Sequence, residues 1–398
     1  METADSSDGY ILTVNAGSSS IKLGVFSASG DGRKVFEAAI QGIGSPPNAE
    51  LVLAGGAPQP AAATSHMEAA RLLLDLPEVQ AALPHVIAAG HRIVHGGPDY
   101  YQTQDASSTA TANLQRFAAF DPAHLPAELR LVEVCTAAMP GVRQVLCFDT
   151  AFHHGLPRRA QLLPIPRHFA AKGVRRYGFH GLSYAYIVDE LRRVEGEAAA
   201  NGKVIIAHLG SGASLAALEN GASVDTTMGM TPASGIPMAT RSGDLDPGLA
   251  LYLAQTEGYD AARFNHMANF ESGLLGVSGT TADMKTLLET EAADAHAKDA
   301  VDLFCYQAKK AIGGFAAALG GLNTLVFTGG MGENAPKIRA RICSGLEFLG
   351  ITIDAARNQD GARLISADGG LVGVHVIHTD EAVTIAAEVR RYISKDNK

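Results

Sequence analysis

The sequence has 398 residues, a formal net charge of −9, 46% hydrophobic and 18% charged residues. That length suggests two or three domains with enough apolar material for a substantial core. The acidic balance, with no Lys/Arg run of useful length, excludes a nucleic-acid backbone as partner, while small anionic substrates remain open if the positive groups are local.

The first residues, Met-Glu-Thr-Ala-Asp-Ser-Ser-Asp, are polar and acidic, which is not the pattern of a secretory signal. Ile11–Val14 reads as a strand, followed by a Gly/Ser turn and a second strand, Ile21–Phe26. Further short, β-rich apolar runs are Val86–Ala89, Val145–Phe148, Val204–Ala207, Leu215–Leu218, Leu325–Phe327 and Val374–Ile377. Helical patterns lie between several of them, among them Ser183–Val194 and Ala300–Leu319. The alternation predicts α/β layers, and the hairpin-like pair near the start argues against a purely parallel sheet. Ala311 to Gly330 carries no charge, but Gly313, Gly314, Gly320, Gly321 and Asn323 break it. The segment is read as a buried helix ending near Gly320, then a strand at Thr324–Phe327, with no membrane span. Cys135, Cys147, Cys305 and Cys343 show no CxxC and no paired spacing, so reduced buried thiols are expected.

One internal echo stands out. Thr13-Val14-Asn15-Ala16-Gly17-Ser18 and Ile206-Ala207-His208-Leu209-Gly210-Ser211 each run from an apolar strand through a polar residue to Gly-Ser and a second strand. Gly17 and Gly210 are 193 positions apart, close to half the chain. Two such units heading the two halves predict duplicated domains facing a shared cleft.

Glycine- and serine-rich hairpin loops offer backbone N–H groups and hydroxyls to phosphate oxygens. Asn15 to Lys22 is one, with a cation in Lys22; His208 to Ser214 is the second. A third Gly-rich loop, Thr328-Gly329-Gly330-Met331-Gly332-Glu333-Asn334, follows a strand, and its glycines would let a planar base or ribose lie against the backbone. Neither a Walker loop nor a GxGxxG fingerprint is present. Arg92 and Arg241 sit in Gly-rich surroundings. A surface salt bridge is the default for any single Arg, but the bare flanks of Arg241 favour a fork for carboxylate or phosphoryl oxygens. His91 and His95 fall at a predicted strand end, which disfavours zinc. His180, flanked by glycines in Gly178-Phe179-His180-Gly181, suits a cleft wall or a packed structural role. Asp149 ends a predicted strand, where α/β folds place chemistry; an Asp opening the next turn is equally ordinary.

Taken together, these stretches resemble the acetate kinase family, within the superfamily of sugar kinases, heat-shock ATPases and actin. The resemblance runs from Asn15-Ala16-Gly17-Ser18-Ser19-Ser20-Ile21-Lys22 to Thr379-Asp380-Glu381. Between them lie His91-Arg92-Ile93-Val94-His95-Gly96-Gly97, Phe148-Asp149-Thr150-Ala151-Phe152-His153 and Tyr177-Gly178-Phe179-His180-Gly181. Asp225-Thr226-Thr227-Met228-Gly229, Thr240-Arg241-Ser242-Gly243-Asp244 and Phe327-Thr328-Gly329-Gly330-Met331-Gly332-Glu333-Asn334 complete the set. Each motif alone is modest; their order and spacing are specific.

The resemblance implies an α/β fold of two duplicated ribonuclease-H-like domains with an interdomain cleft. It places these at residues 1–150 and 151–385, with a helix at 386–398 returning to the first. It implies a cytoplasmic homodimer that uses ATP/ADP and Mg²⁺, with Mn²⁺ able to substitute, for in-line transfer between nucleotide and a short carboxylate, giving an acyl phosphate. By position, Asn15 and Glu381 would hold the metal. Lys22 and the run His208, Leu209, Gly210, Ser211, Gly212 would meet the phosphates. Asp283, Met284 and Lys285 with Gly330, Met331, Gly332, Glu333 and Asn334 would hold the nucleoside. Arg92, His180 and Arg241 would surround the transferred group, and Asp149 would be the catalytic carboxylate. Val94, Ala123, His124, Phe179 and Pro232 would line the acyl pocket.

Three positions depart from the family pattern. Ser211 stands where Asn is usual, Ala123 where a pocket Leu is usual, and Lys285 where Arg is frequent near the adenine. The second departure keeps propionate or butyrate kinase as an alternative to acetate kinase. An inactive nucleotide-binding scaffold is the alternative of another class, and it would have no need of Arg92, Asp149, His180, Arg241 and Glu381 together.

Overall fold

A computed structural model describes residues 9–17, 19–44, 49–122 and 124–395. It divides the chain into two compact units, Met1–Ala151 with Asp380–Lys398, and Phe152–Thr379.

In the first unit the apolar runs form strands β1 (Tyr10–Ala16), β2 (Ser20–Ser27), β3 (Lys34–Gln41), β4 (Glu50–Leu53), β5 (Gln59–Pro60), β6 (Val86–Ile93), β7 (Gln104–Asp105) and β8 (Arg143–Phe148). They lie in the order β5-β4-β3-β2-β1-β6-β8-β7. β1, β2 and β3 are an antiparallel meander, and β6 and β8 are added parallel to β1. The core strands are apolar on both faces because helices cover both. The helix His66–Leu74 presents Ala69, Ala70, Leu73 and Leu74 to the sheet core. The C-terminal helix Glu381–Lys395 buries Ala382, Ile385, Ala386 and Val389, the spacing of one helical stripe. It lies so close that a methyl group at Gly90 would meet Ile385 and Val389 at 2.6 Å, so β6 carries glycine there.

The second unit repeats the core. Strands β9 (Lys203–Leu209), β10 (Ala213–Glu219), β11 (Ala222–Thr226), β12 (Thr324–Thr328) and β13 (Gly373–Val376) lie in the order β11-β10-β9-β12-β13. Again three antiparallel strands are followed by two parallel ones. The helix Gly181–Glu195 packs Tyr184, Ile187, Val188 and Leu191 against Val204, Ile206, Ala216 and Leu218. The long helix Ala295–Leu319 opens on the Asp294 cap and stops at Gly320, whose φ of 66° L side chains rarely adopt. The uncharged stretch is therefore helix, turn and β12, and no described helix is long and apolar enough to cross a membrane. All four cysteines are buried thiols.

Candidate active site

The parallel strands β1, β6 and β8 end along one edge of the first sheet, and their last residues set Asn15, Arg92 and Asp149 side by side. Asp149 is fully buried, and its Oδ2 accepts from Arg92 Nη2 at 2.6 Å and Nε at 3.1 Å. Arg92 Nη1 donates to the Ala16 carbonyl at 2.7 Å. Glu381, at the start of the C-terminal helix, accepts from Asn15 Nδ2 at 2.8 Å and lies 3.9 Å from Arg92 Nε. Burial disfavours the Arg92 charge, but the two carboxylates outweigh it and hold its pKa above the usual value. The group is a fixed guanidinium in a buried frame of anions. Lys22 stands on β2 opposite Asn15, its side chain exposed.

Behind Arg92, Val94 donates its N–H to Glu128 Oε2 at 3.0 Å. Glu128 is buried, and desolvation with the neighbouring Asp121 charge pushes its pKa up to about 8 despite Arg92. Asp121 Oδ1 in turn pairs with His124 Nδ1 at 2.8 Å. Ala123, the expected pocket residue, lies outside the described residues.

In the second unit the β9–β10 turn is closed by Gly210 N–H to the Gly212 carbonyl at 3.1 Å. His180 has a φ of 59°, a left-handed conformation that non-glycine residues adopt mainly where the surroundings enforce it. Its ring stacks on His208 at 4.3 Å, and its Nδ1 meets Ser214 Oγ at 2.8 Å. A methyl group at Gly212 would lie 3.2 Å from His180 Nε2 and 3.4 Å from Arg241 Nη1, so both donors face this turn. Arg241 is anchored by Nη1 to the Pro232 carbonyl at 3.3 Å, and its loop is tied to the turn by Ala239 N–H to the Ser211 carbonyl at 3.1 Å. Phe179 and Pro232 are buried.

The stretch 328–334, expected as a loop, is a short helix, Gly329–Asn334. Gly329 makes this possible: its φ is +77°, and a side chain there would meet the Leu209 backbone at 2.9 Å. The Glu333 carboxylate binds Gly329 N–H at 2.9 Å, Thr379 N–H at 3.0 Å and His378 Nδ1 at 2.8 Å, so it pins the segment in place. Asp283 caps the helix Met284–Thr290, Met284 is core, and Lys285 is exposed.

Four groups have supporting roles that sequence reasoning did not assign. His153 is buried, donates Nε2–H to the Phe179 carbonyl at 3.1 Å and meets Ser223 Oγ at 2.7 Å; burial pushes its pKa down to about 4, so it is a neutral clamp. Ser214 and Tyr184 back His180. Arg339, fully buried, binds the Gly332 and Glu333 carbonyls and both the side-chain and main-chain oxygens of Asn358. Only Gly178, two residues before His180, hinted at such crowding: a methyl group there would meet His153 and Thr226 at 2.6 Å.

The acetokinase family model matches residues 10–387. The chain belongs to the acetokinase family. An acetate kinase of Nitrobacter hamburgensis is 44% identical over 94% of this chain and 94% of its own length. Among solved structures, Porphyromonas gingivalis acetate kinase superposes with a TM-score of 0.84 at 34% identity, covering 97% of this chain and 100% of that one. A propionate kinase from Francisella tularensis subsp. tularensis SCHU S4 gives 0.87 at 32% identity, covering 96% and 98%. Membership of the acetokinase family makes the chain a kinase with two ribonuclease-H-like domains, in keeping with the repeated strand order.

Proposed function

We propose that this chain catalyses reversible phosphoryl transfer between ATP and acetate, giving acetyl phosphate and ADP. The observation that carries the reading is the buried Arg92–Asp149 pair flanked by Asn15 and Glu381, in a chain of this family. An acetate carboxylate, like a Glu side chain with a pKa of about 4.3, is ionised at neutral pH and needs no general base. The barrier lies in bringing two anions together, and fixed cations and hydrogen-bond donors lower it. Arg92 would bind acceptor and phosphoryl oxygens, with Asp149 as its orienter. His180 and Arg241, facing Gly212, would receive the charge that develops on the transferred group. Lys22 and the Gly210–Gly212 turn would meet the phosphates, and Gly330–Asn334 with Asp283–Lys285 the nucleoside. Val94, His124, Phe179 and Pro232 would border the acyl group.

Asn15 and Glu381 offer an amide oxygen and a carboxylate, hard donors suited to Mg²⁺ or Mn²⁺. No cluster of three His, Cys, Asp or Glu side chains able to hold a metal exists among the described residues. When bound, Mg²⁺ would neutralise nucleotide phosphate oxygens. The helix Gly248–Thr256 is apolar yet buries none of its residues, and Leu251 and Tyr252 are 62% and 59% exposed. This supports a homodimer with that face covered by a second copy. Use of ATP supports a cytoplasmic location.

A second reading, propionate kinase, is favoured by Ala123 and by the Francisella relative. Hydroxylamine trapping of acyl phosphate with ATP, Mg²⁺ and acetate, propionate or butyrate tests both. Acetyl hydroxamate as the product of highest kcat/KM supports acetate. A higher value for propionate moves the assignment to the second reading, and no hydroxamate from any of the three refutes both.

A further inference from the structure

At the Nδ1 edge of the His180 ring lies a short chain of hydroxyl groups to which the phosphoryl-transfer reading gives no task. Ser214 Oγ is 2.8 Å from His180 Nδ1 and 2.5 Å from Tyr184 Oη. Ser214 and Tyr184 are both fully buried. Tyr184 stands one helical turn after His180, its N–H bonded to the His180 carbonyl at 2.9 Å, so helix geometry itself puts the two side chains on the same face.

We propose that Tyr184 and Ser214 are positioning residues that fix His180 as the neutral tautomer protonated on Nε2, so that the ring donates toward the transferred phosphoryl group. The proton order follows from acidity. A phenol, with an ordinary pKa near 10, is a much stronger acid than an alkyl hydroxyl, so Tyr184 O–H donates to Ser214 Oγ. Serine has one proton to give, and the imidazole nitrogen at 2.8 Å is its basic neighbour, so Ser214 O–H donates to Nδ1. Nδ1 is then an acceptor and the ring proton resides on Nε2. That nitrogen faces the Gly212 turn beside Arg241 Nη1. Such a chain polarises cooperatively, strengthening the outermost donor. The stacked neighbour is held in the same way: His208 Nδ1 meets Ser183 Oγ at 2.9 Å, and Ser183 meets Thr379 Oγ1 at 2.8 Å. Two rings stacked at 4.3 Å also disfavour a charge on both.

The value of this arrangement to turnover rests on the phosphoryl-transfer reading; the tautomer itself does not. The test is a two-bond proton–nitrogen correlation spectrum of the ligand-free protein, with the His180 signal identified by its loss in His180→Gln. The expected pattern is Nε2–H at neutral pH. Ser214→Ala should shift it toward a tautomer mixture and lower kcat about tenfold, with KM for ATP and acetate within about twofold. Tyr184→Phe should do the same more weakly, and Ser214→Thr should restore both readouts. An Nδ1–H pattern in the unsubstituted protein overturns the proposal even if Ser214→Ala does not fold. So does a folded Ser214→Ala that keeps both tautomer and kcat. A correct tautomer in a protein that forms no acyl phosphate overturns only the reaction.

Discussion

At the scale of single residues, the charges are arranged so that each does a different task. Arg92 is wedged between carboxylates, and three of its N–H donors are committed to Asp149 and the Ala16 carbonyl. Its position is therefore fixed before any substrate arrives. Arg241 is held by the Pro232 carbonyl and faces the Gly212 turn, which suits a group meant to meet substrate charge. Replacing either by Ala should lower kcat by on the order of 10²–10³. Arg241→Ala should keep the parent's circular dichroism and unfolding midpoint, whereas Arg92→Ala, which leaves the buried Asp149 carboxylate unpaired, should also lower the midpoint. Near-normal turnover in a folded variant would remove that arginine from the mechanism.

Glu128 makes a different prediction. Its pKa is raised from the ordinary 4.5 to about 8, so between those values the folded chain holds a proton that the unfolded chain has lost. Stability of the first unit therefore falls as pH rises through that window and levels off above it. Glu128→Gln cannot ionise, so its urea midpoint should change less between about pH 6 and about pH 9 than that of the parent. Equal changes in both proteins would show that the carboxyl is not buried as a neutral acid.

At the scale of elements, close approaches of backbone determine where the chemistry sits. β12 passes into the helix Gly329–Asn334 within one residue because Gly329 accepts a positive φ against the Leu209 backbone. Arg339 then ties the end of that helix to Asn358. Removing this guanidinium in Arg339→Met leaves several buried oxygens unpaired, each costing about 1–3 kcal/mol. The expected outcome is a lower unfolding midpoint for the second unit and a several-fold higher KM for ATP. An unchanged KM in a destabilised variant would confine Arg339 to folding. The sequence pattern foretold much at this scale. Apolar runs marked the core strands, and the glycines at 320 and 321 marked the end of the long helix. It failed at 328–334, where a glycine-rich stretch looked like a loop, because the helix there is made by tertiary clasps from Glu333 and Arg339 rather than by local propensity. Ser214, Tyr184 and His153 were illegible for a similar reason: their partners lie far away in sequence, and a buried Ser or Tyr leaves no periodic signal.

At the scale of the whole molecule, the echo between the two Gly-Ser hairpins is now a repeated strand order, with the same three antiparallel and two parallel strands in each unit. The duplication places one polar edge at the strand ends of each unit, Asn15, Arg92 and Asp149 in the first and His208 with the Gly210–Gly212 turn in the second. The exposed apolar helix Gly248–Thr256 predicts a dimer, so light scattering should give twice the chain mass, and Leu251→Glu with Tyr252→Glu should give a monomer. A monomer in the parent protein would refute the covered face.

The central claim is that a carboxylate oxygen of acetate takes up the terminal phosphoryl group of ATP. Acetate labelled with heavy oxygen in its carboxylate, incubated with ATP, Mg²⁺ and the purified chain, gives the most direct test by phosphorus NMR. The account predicts an acetyl phosphate resonance displaced by the isotope shift of one labelled bridging oxygen, accompanied by ADP. ATP consumed to unlabelled inorganic phosphate, with no acetyl phosphate signal, would contradict it.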